Sequence, residues 1–385
     1  MCVWKKLFCW VLLPLLASCV TPFEPEVLNE PVTILVVNGY INSGGVTTIT
    51  LSRTRNLAVQ EPYQPETQAS LAIEDDAGTR WPLQEGAPGT YVSESLQLPA
   101  GQQYHLRIQT QSGRRYASEF VPLKPAPPID SLSGRIEADG LQFYLSAHDD
   151  VGRTQYYRWE YAETWEFTSG AWSRLEKQIG DTLLPRTDDI YHCWRTENST
   201  AVYTATTVPL SRDAVLDYRL LLIPPTSSRL RFKYSLLVRQ FALTEAEFQY
   251  WEALKKNSQN IGGLFDPLPS QLTGNVHSET NTTEPVLGYV GAGTVAEKRI
   301  FIDNNSLPPT WSLRNEGYEG CMLLDTIFKK DASFNLALFF SDPNLRLPVG
   351  PVTDRAGNLL GYTYQTTACV DCRLRGTNSK PSFWP

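Results

Sequence analysis

Short apolar segments of alternating character, separated by turn residues, most strongly restrict the fold of this chain. Ile34–Ile41 is apolar and rich in β-branched residues, Asn42–Gly45 has the chemistry of a turn, and Val46–Leu51 alternates. Short strands at this spacing, with no helical periodicity among them, predict an immunoglobulin-like β-sandwich over residues 32–122. A stiff, proline-rich linker is expected at residues 123–128. The pattern recurs in five further segments: 70–74, 79–83, 90–96, 104–110 and 115–121.

Residues 129–385 predict a second, larger β-rich domain that contains one clear helix. Thr244 and Glu247 have the spacing of a capping box, and apolar residues follow on one helical face, which predicts a helix near residues 245–257. The C-terminal tail has weak secondary-structure signals. The fold class is therefore expected to be mainly β. Segments of strong β propensity recur at 141–147, 156–168, 202–209 and 230–240.

The N-terminus has the pattern of a lipoprotein signal. Two lysines precede an apolar run, Leu7–Leu16, which ends in Leu16-Ala17-Ser18-Cys19. This run is shorter than the roughly 20 residues that a membrane-spanning helix needs. We therefore expect a signal peptide at residues 1–18, lipidation of Cys19, and an acidic, proline-rich tether at residues 19–31. An ordinary secreted protein and an N-terminal transmembrane anchor are the alternatives.

The charge of the chain argues against nucleic acid as a partner. The full sequence has a formal net charge of −7, with 34 basic and 41 acidic residues. Residues 1–18 contain two lysines and no acidic residue, so their removal moves the net charge from −7 to −9. An acidic surface repels a polyanion, and we expect no nucleic-acid binding and no attachment to anionic lipid through a basic face.

Four cysteines follow the tether and are expected to form structural disulfides: Cys193, Cys321, Cys369 and Cys372. An even number of cysteines after an export signal predicts up to two disulfides in an oxidising compartment, and these would tie the C-terminal tail to the body. Three pairings are possible, and the spacing does not select one. A redox motif at Cys369–Cys372 and a zinc site completed by His192 are the alternatives.

Signatures of catalysis are mostly absent from the sequence. It has no phosphate-binding loop, no H-E-x-x-H zinc helix and no G-x-S-x-G elbow, and no catalytic residue, cofactor or metal site is predicted. Acidic pairs could supply calcium ligands or a glycosidase dyad, but each lies where a turn is expected. These pairs are Asp75-Asp76, Asp149-Asp150 and Asp188-Asp189. The histidines are scattered among different segments: His105, His148, His192 and His277.

One segment, from Tyr156 to Trp172, is crowded with seven aromatic residues. Alternation along a strand places Tyr157, Trp159 and Trp165 on the same face, which favours packing in the core. Trp172 follows Gly170 and lies beyond the alternating run. It is therefore the candidate for an exposed ligand contact.

A set of motifs is distributed along nearly the whole chain. They are Pro127-Pro128-Ile129-Asp130-Ser131-Leu132, Glu163-Thr164-Trp165-Glu166, Tyr234-Ser235-Leu236-Leu237-Val238, Tyr250-Trp251, Gly263-Leu264-Phe265-Asp266, Gly274-Asn275, Leu287-Gly288-Tyr289, Lys298-Arg299 and the closing Cys369 to Trp384. Together they resemble the Bacteroidetes lipoproteins of the domain-of-unknown-function 4249 family. The resemblance implies a lipoprotein of the outer membrane that accompanies a TonB-dependent transporter, and it transfers no catalytic residue.

Three short motifs also resemble the Asp-Ser/Thr-apolar pattern of Bacteroidetes O-glycosylation. They make Ser131, Thr182 and Thr326 candidate modification sites. Three unmodified turns or strand starts are the alternative interpretation, because a pattern this short arises readily by chance.

Together these observations lead us to expect a noncatalytic lipoprotein, lipid-anchored at the outer membrane on its periplasmic or its surface face. It would assist a TonB-dependent transporter or bind an extracellular solute. A hydrolase that acts on glycans or peptides through acidic residues is an alternative, and a structural envelope protein is another.

Overall fold

The computed structural model describes residues 33–54, 64–177, 182–259, 272, 274–331 and 334–385, and over these ranges the fold is mainly β. This confirms the expected fold class. The predicted signal peptide, Cys19 and the tether lie outside the described residues. The N-terminal strands are β1 (Leu35–Asn42), β2 (Val46–Arg53), β3 (Gln64–Pro65), β4 (Ser70–Asp75), β5 (Arg80–Ala87), β6 (Thr90–Ser95), β7 (Gln103–Gln109), β8 (Arg115–Ser118) and β9 (Val121–Pro122).

A second β-rich region follows the proline-rich stretch. Its strands are β10 (Ile129–Glu137), β11 (Gly140–His148), β12 (Tyr156–Thr168), β13 (Leu175–Lys177), β14 (Leu183–Pro185), β15 (His192–Asn198), β16 (Tyr203–Thr206), β17 (Ala214–Ile223) and β18 (Lys233–Ala242). One sheet has the order β10-β11-β17, and β13 and β14 form a two-stranded sheet among the described residues. A central sheet has β12 in its middle, with β18 on one side and with β15 and β16 on the other.

The clear helix is α1 (Glu245–Gln259). The hydroxyl of Thr244 accepts a hydrogen bond from the backbone N–H of Glu247 at 3.2 Å, as a capping residue does. Phe248 and Trp251 on one face of α1 pack in a cluster with Phe241. This confirms the expected helix, which lies against the end of the central sheet.

The chain then returns to short strands, separated by brief helical turns. These elements are β19 (Val276–Ser278), β20 (Val286–Leu287), β21 (Gly291–Gly293), β22 (Val295–Asp303), β23 (Asp325–Phe328), α2 (Leu336–Phe339), β24 (Arg346–Thr353), β25 (Leu359–Thr366) and α3 (Thr367–Val370). β22 extends the central sheet beside β18. The strands near the C-terminus form a small sheet in the order β23-β25-β24.

The N-terminal strands form one near-closed barrel instead of the two sheets of an immunoglobulin-like sandwich. Their order in the described residues is β19-β8-β7-β4-β5-β6-β2-β1-β20, and β21 also pairs with β1. Strands from residues 276–293 therefore complete a sheet that begins at residue 35. Alternation shows which side chains face a core but not which strands pair, so the immunoglobulin-like sandwich expected for residues 32–122 is not clearly seen in the structure. The predicted domain boundaries stay predictions.

The central sheet and the β10-β11-β17 sheet pack face to face around the largest apolar cluster. Trp159 of β12 and Phe143 of β11 are fully enclosed there. The ring centroids of Phe143 and Tyr234 are 5.7 Å apart. The odd-numbered aromatic residues of β12 are thus buried, because their side chains lie on the strand face that packs in this interface.

Two disulfides hold the C-terminal tail against the body: Cys193–Cys372 and Cys321–Cys369. The structure confirms the expected disulfides and selects one of the three pairings. Thr377 also bonds to the backbone of Trp194, and the Trp384 ring is buried edge-on against Phe301, with centroids 5.7 Å apart. The tail is therefore ordered through Trp384.

Candidate functional site

Trp172 lies in a turn that two neighbouring segments hold in place. The turn follows the end of β12, and the N–H of Ala171 donates to the carbonyl oxygen of Cys369 at 3.1 Å. On the other side, the Ser173 hydroxyl donates to the Pro348 carbonyl at 2.6 Å. A methyl group on Gly170 would overlap Cβ of Cys321, so the turn fits closely over the Cys321–Cys369 disulfide. Both residues beside Trp172 are thus fixed, and its ring projects outward.

The Trp172 side chain is 55% exposed, and its indole has an aromatic and a cationic neighbour. The ring of Tyr191 stacks on it at a centroid distance of 6.0 Å. The guanidinium carbon of Arg174 lies 4.8 Å from its centroid, which is within cation–π range. These contacts orient the indole while one part of it remains open to solvent.

An exposed apolar surface continues from Trp172 across a cavity of about 380 Å³. Met322 and Leu324 line this cavity together with Trp172, and the exposed Leu323 lies between them in the chain; we call these four residues the Trp172 surface. Met322 and Leu323 are each 85% exposed. Large apolar side chains rarely gather on a solvent face without a partner, and such patches mark interaction sites. The sequence indicated Trp172 through its place after Gly170, but it did not indicate Met322–Leu324, because a short apolar run is usually buried.

The acidic pairs lie at turns, and in the described residues each pair makes its own local contacts. Oδ1 of Asp75 accepts from the N–H groups of both Ala77 and Thr79. Asp149 accepts from three backbone N–H groups, and these bonds lower the pKa of its carboxyl against the effect of burial. Asp189 accepts in the same way from Tyr191 and His192. Their oxygens are used by the backbone, which agrees with the turn interpretation.

The four histidines make separate local contacts. Burial lowers the pKa of His105, which stacks on Phe120 with centroids 4.0 Å apart. The hydrogen bond with Asp130 raises the pKa of His148. His192 contacts Asp189 at 2.9 Å, and His277 contacts Glu119 at 3.3 Å. Within the described ranges, no group of three or more histidine, cysteine, aspartate or glutamate side chains is arranged to hold a metal ion.

The candidate glycosylation sites lie in three different environments. Ser131 is exposed on β10, next to the Asp130 carboxylate that contacts His148. Thr182 is exposed just before β14, although its motif partner Asp181 lies outside the described residues. Thr326 is half-buried on β23. Modification at each stays a prediction.

A larger polar cavity, which the sequence did not indicate, opens between the β1–β2 hairpin and one face of the central sheet. Its volume is about 880 Å³. Arg158 and Glu160 line it from β12, and Arg239 lines it from β18. The alternating charges at even-numbered positions of β12 mark this face as polar. The residues that lie opposite could not be identified without the pairing of distant strands.

Within the described part of the chain, none of the helices has the length and apolar character needed to cross a membrane. This finding concerns the residues that follow the predicted tether.

Comparison with known proteins identifies a family. No curated protein matches the chain. A DUF4785 family protein from Legionella pneumophila subsp. pneumophila str. Philadelphia 1 is 11% identical, with 53% of this chain and 51% of that chain covered and a TM-score of 0.18. This chain thus spans about half the length of that structure. The calcium binding domain CBD12 of CALX1.1 is also 11% identical, with 69% and 99% covered and a TM-score of 0.13.

At these TM-scores neither solved structure informs on the fold or the site. The family model does inform on the relationship of this chain to known proteins, because its match extends over a long continuous part of the sequence. Residues 20–299 match the model described as "Domain of unknown function (DUF4249)", which is more than half of the 385 residues, and the chain therefore belongs to that family.

Proposed function

We propose that this chain is a noncatalytic Bacteroidetes lipoprotein, anchored in the outer membrane through Cys19, that assists a TonB-dependent transporter. The observation that supports this role is the Trp172 surface, whose apolar side chains are exposed beside a cavity. Aromatic residues and methionine are enriched where protein partners meet. The signal sequence before Cys19 supports the location.

The partner role is tested by recovery of the transporter with the anchored chain. Membranes from the native host are crosslinked, the tagged chain is purified, and TonB-dependent β-barrels are quantified by mass spectrometry. A Met322→Glu substitution places a charge on the Trp172 surface and is expected to reduce recovery at least about fivefold, because desolvation of an unpaired charge opposes association. Trp172→Ala should act in the same direction through loss of an anchor.

The matched control is Leu216→Glu. Leu216 is 77% exposed on β17, so the same charge is added to another solvent face. Recovery of the transporter with this variant should equal that of the unmodified chain. Equal recovery with Met322→Glu and Leu216→Glu, or no β-barrel with the unmodified chain, would contradict the proposal.

The anchor has its own test. Cys19→Ala removes the acceptor of the acyl chains, and the protein is expected to leave the membrane fraction, because lipid chains supply stable attachment. Retention of the variant on membranes after a high-salt wash would show another attachment.

Glycosylation is tested separately by intact-mass measurement of the native protein, which reports any glycan at Ser131, Thr182 or Thr326. A mass that shows lipid alone would exclude modification there.

The hydrolase alternative predicts turnover in a panel of glycans or peptides that is lost when an acidic pair is replaced. The structure gives it little support, because one aspartate of each pair, Asp75, Asp149 or Asp189, bonds to turn backbone.

A further inference from the structure

The polar cavity between the β1–β2 hairpin and the central sheet is a cleft with two walls. One wall is the outer face of the β1–β2 hairpin, and the other is a face of the central sheet. Its volume of about 880 Å³ lies in the range of small-molecule sites. We call it the inter-sheet cleft and define it by Asn38 and Tyr40 of β1, Thr48 and Thr50 of β2, and Arg158 and Arg239 of the central sheet.

The central-sheet wall is ordered in two rows that run across three strands. In the outer row, Glu160 pairs in register with Arg239, and Arg239 pairs with Glu297. Nε of Arg239 donates to Oε1 of Glu297 at 2.9 Å. Opposite residues in a sheet project on the same side, so this row presents alternating charges to the cleft.

The inner row contains a cation that is held rigidly. Arg158 pairs in register with Phe241, and Phe241 with Val295. The guanidinium carbon of Arg158 lies 4.2 Å from the Phe241 centroid and 4.3 Å from that of Trp251. Its Nη1 bonds to Glu160, while the enclosed Nε has no partner in the described part of the chain. The aromatic rings therefore fix the position of this guanidinium at the inner row.

The hairpin wall is neutral. Asn38 pairs in register with Thr50, and Tyr40 pairs with Thr48. An amide and two hydroxyl groups thus face the charged rows, and the phenyl ring of Tyr40 meets Phe241 at a centroid distance of 5.0 Å. This wall offers hydrogen bonds and an apolar base but no net charge.

The charges that line the cleft are two arginines and two glutamates, which sum to zero. An anion would meet Glu160 and Glu297, and a cation would meet Arg158 and Arg239, so neither sign is favoured. A hydroxyl group can accept from a guanidinium and donate to the neighbouring carboxylate. The two Arg–Glu pairs therefore match a ligand that carries several adjacent hydroxyl groups.

We infer that the inter-sheet cleft binds a short, neutral oligosaccharide. Sugar hydroxyl groups would bond to the Arg–Glu pairs and to the hairpin wall, and C–H faces of the rings would lie toward Tyr40, Phe241 and Val295. This ligand role goes beyond the accessory role proposed above, and it uses residues that are separate from the Trp172 surface.

Calorimetric titration of the mature lipidated protein in a sugar-free detergent tests the inference. The probes are neutral di- to tetrasaccharides built from glucose, mannose, galactose or N-acetylglucosamine, with sialyllactose and chitotriosamine as charged comparators. At least one neutral probe should bind. Arg239→Met and Glu297→Gln should each weaken that binding at least about tenfold, because the first removes a hydrogen-bond donor and the second replaces a charged acceptor by a weaker neutral one.

Two further variants make the result specific. Asn38→Ala changes the exposed hairpin wall without altering the central sheet and should also weaken binding. Arg135→Met is the matched control. Arg135 is an exposed arginine on β10 that does not line the cleft, and its Nη2 lies 2.6 Å from Oδ1 of Asp217. Its affinity for the probe should be unchanged.

The inference is overturned if no neutral probe binds with a dissociation constant below about 10 mM, if only charged probes bind, or if the cleft variants bind as the Arg135 variant does. The cleft variants should leave recovery of the transporter unchanged, whereas Met322→Glu should leave sugar affinity unchanged. Failure of the ligand inference is thus distinguishable from failure of the proposed partner role.

Discussion

The side-chain amide of Asn275 takes the place of a strand partner for Val290. Its Nδ2 donates to the Val290 carbonyl oxygen at 3.0 Å, and the Val290 N–H donates to its Oδ1 at 2.8 Å. Asn275 is only 2% exposed. It directly precedes β19, and Val290 directly precedes β21, so this pair joins the two ends of the N-terminal sheet. Nearby, a methyl group on Gly274 would overlap the carbonyl group of Gly288, which shows how closely the ends approach.

Asn275→Ala is expected to lower the free energy of unfolding by about 2 to 3 kcal/mol. The substitution removes two buried hydrogen bonds and leaves the N–H and C=O of Val290 without partners. Chemical denaturation of the purified chain measures the change.

The matched control for this change is Asn281→Ala. The Asn281 side chain also takes part in two hydrogen bonds, which it accepts from the N–H and the hydroxyl of Thr283, but it is exposed. Its replacement should cost less than about 1 kcal/mol, because water can satisfy the freed groups. Equal costs at the two positions would show that the Asn275–Val290 pair does not hold the sheet ends together.

The two disulfides close loops of different length. Cys193–Cys372 spans 179 residues and Cys321–Cys369 spans 48. Replacing either pair by serine should lower the free energy of unfolding by about 2 to 4 kcal/mol, with the larger effect for the longer loop, since its closure removes more freedom from the unfolded chain. Denaturation of each double variant measures this difference.

Thiol counting under denaturing, non-reducing conditions checks the pairing itself. The mature protein should show no free thiol among these four cysteines, and peptide mapping should recover Cys193 linked to Cys372. Four free thiols, or stoichiometric zinc that protects them, would contradict the pairing.

Glu247 is a buried acid at the junction of α1, the barrel and the central sheet. Its carboxylate packs against Gly291 and accepts from Nε1 of Trp251 at 3.4 Å. Burial raises its pKa from about 4.5 to about 7, although the charge of Arg158 and the bond from Trp251 act in the opposite direction. Tyr40 lies in the same junction, and burial raises its pKa as well.

The raised pKa predicts a stability that falls as the pH rises. Between pH 4.5 and 7 the folded state holds the Glu247 proton while the unfolded chain releases it, so this contribution is full below pH 4.5 and is lost as the pH passes 7. The change amounts to about 3 kcal/mol. Glu247→Gln keeps the shape of the side chain but cannot ionise, and it should therefore unfold with a smaller pH slope over this interval.

Denaturation at several pH values from 4 to 8 measures the slope. Glu245→Gln is the control, because Glu245 is an exposed acid in the same first turn of α1. Its slope should match that of the unmodified protein. A Glu247→Gln slope that is also unchanged would show that this carboxyl ionises with an ordinary pKa in the folded state.

Features set by neighbours in the chain could be predicted from the sequence. Thr244 and Glu247 predicted α1 because a capping hydroxyl accepts from the backbone N–H that lies three residues further along the chain. The burial of Trp159 followed from strand alternation, and the exposure of Trp172 from its position after Gly170. The even number of cysteines after an export signal predicted disulfides, although not their pairing.

Features that depend on distant partners were decided only by the tertiary structure. Asn275 meets Val290 across the ends of a sheet, and Arg239 meets Glu297 across strands that are 58 residues apart along the chain. The near-closed barrel, the choice of Cys372 for Cys193, and the inter-sheet cleft depend on such pairings. Alternation specifies which face a side chain occupies, but every strand offers the same backbone donors and acceptors, so only the packing of the whole chain selects which strands and side chains meet.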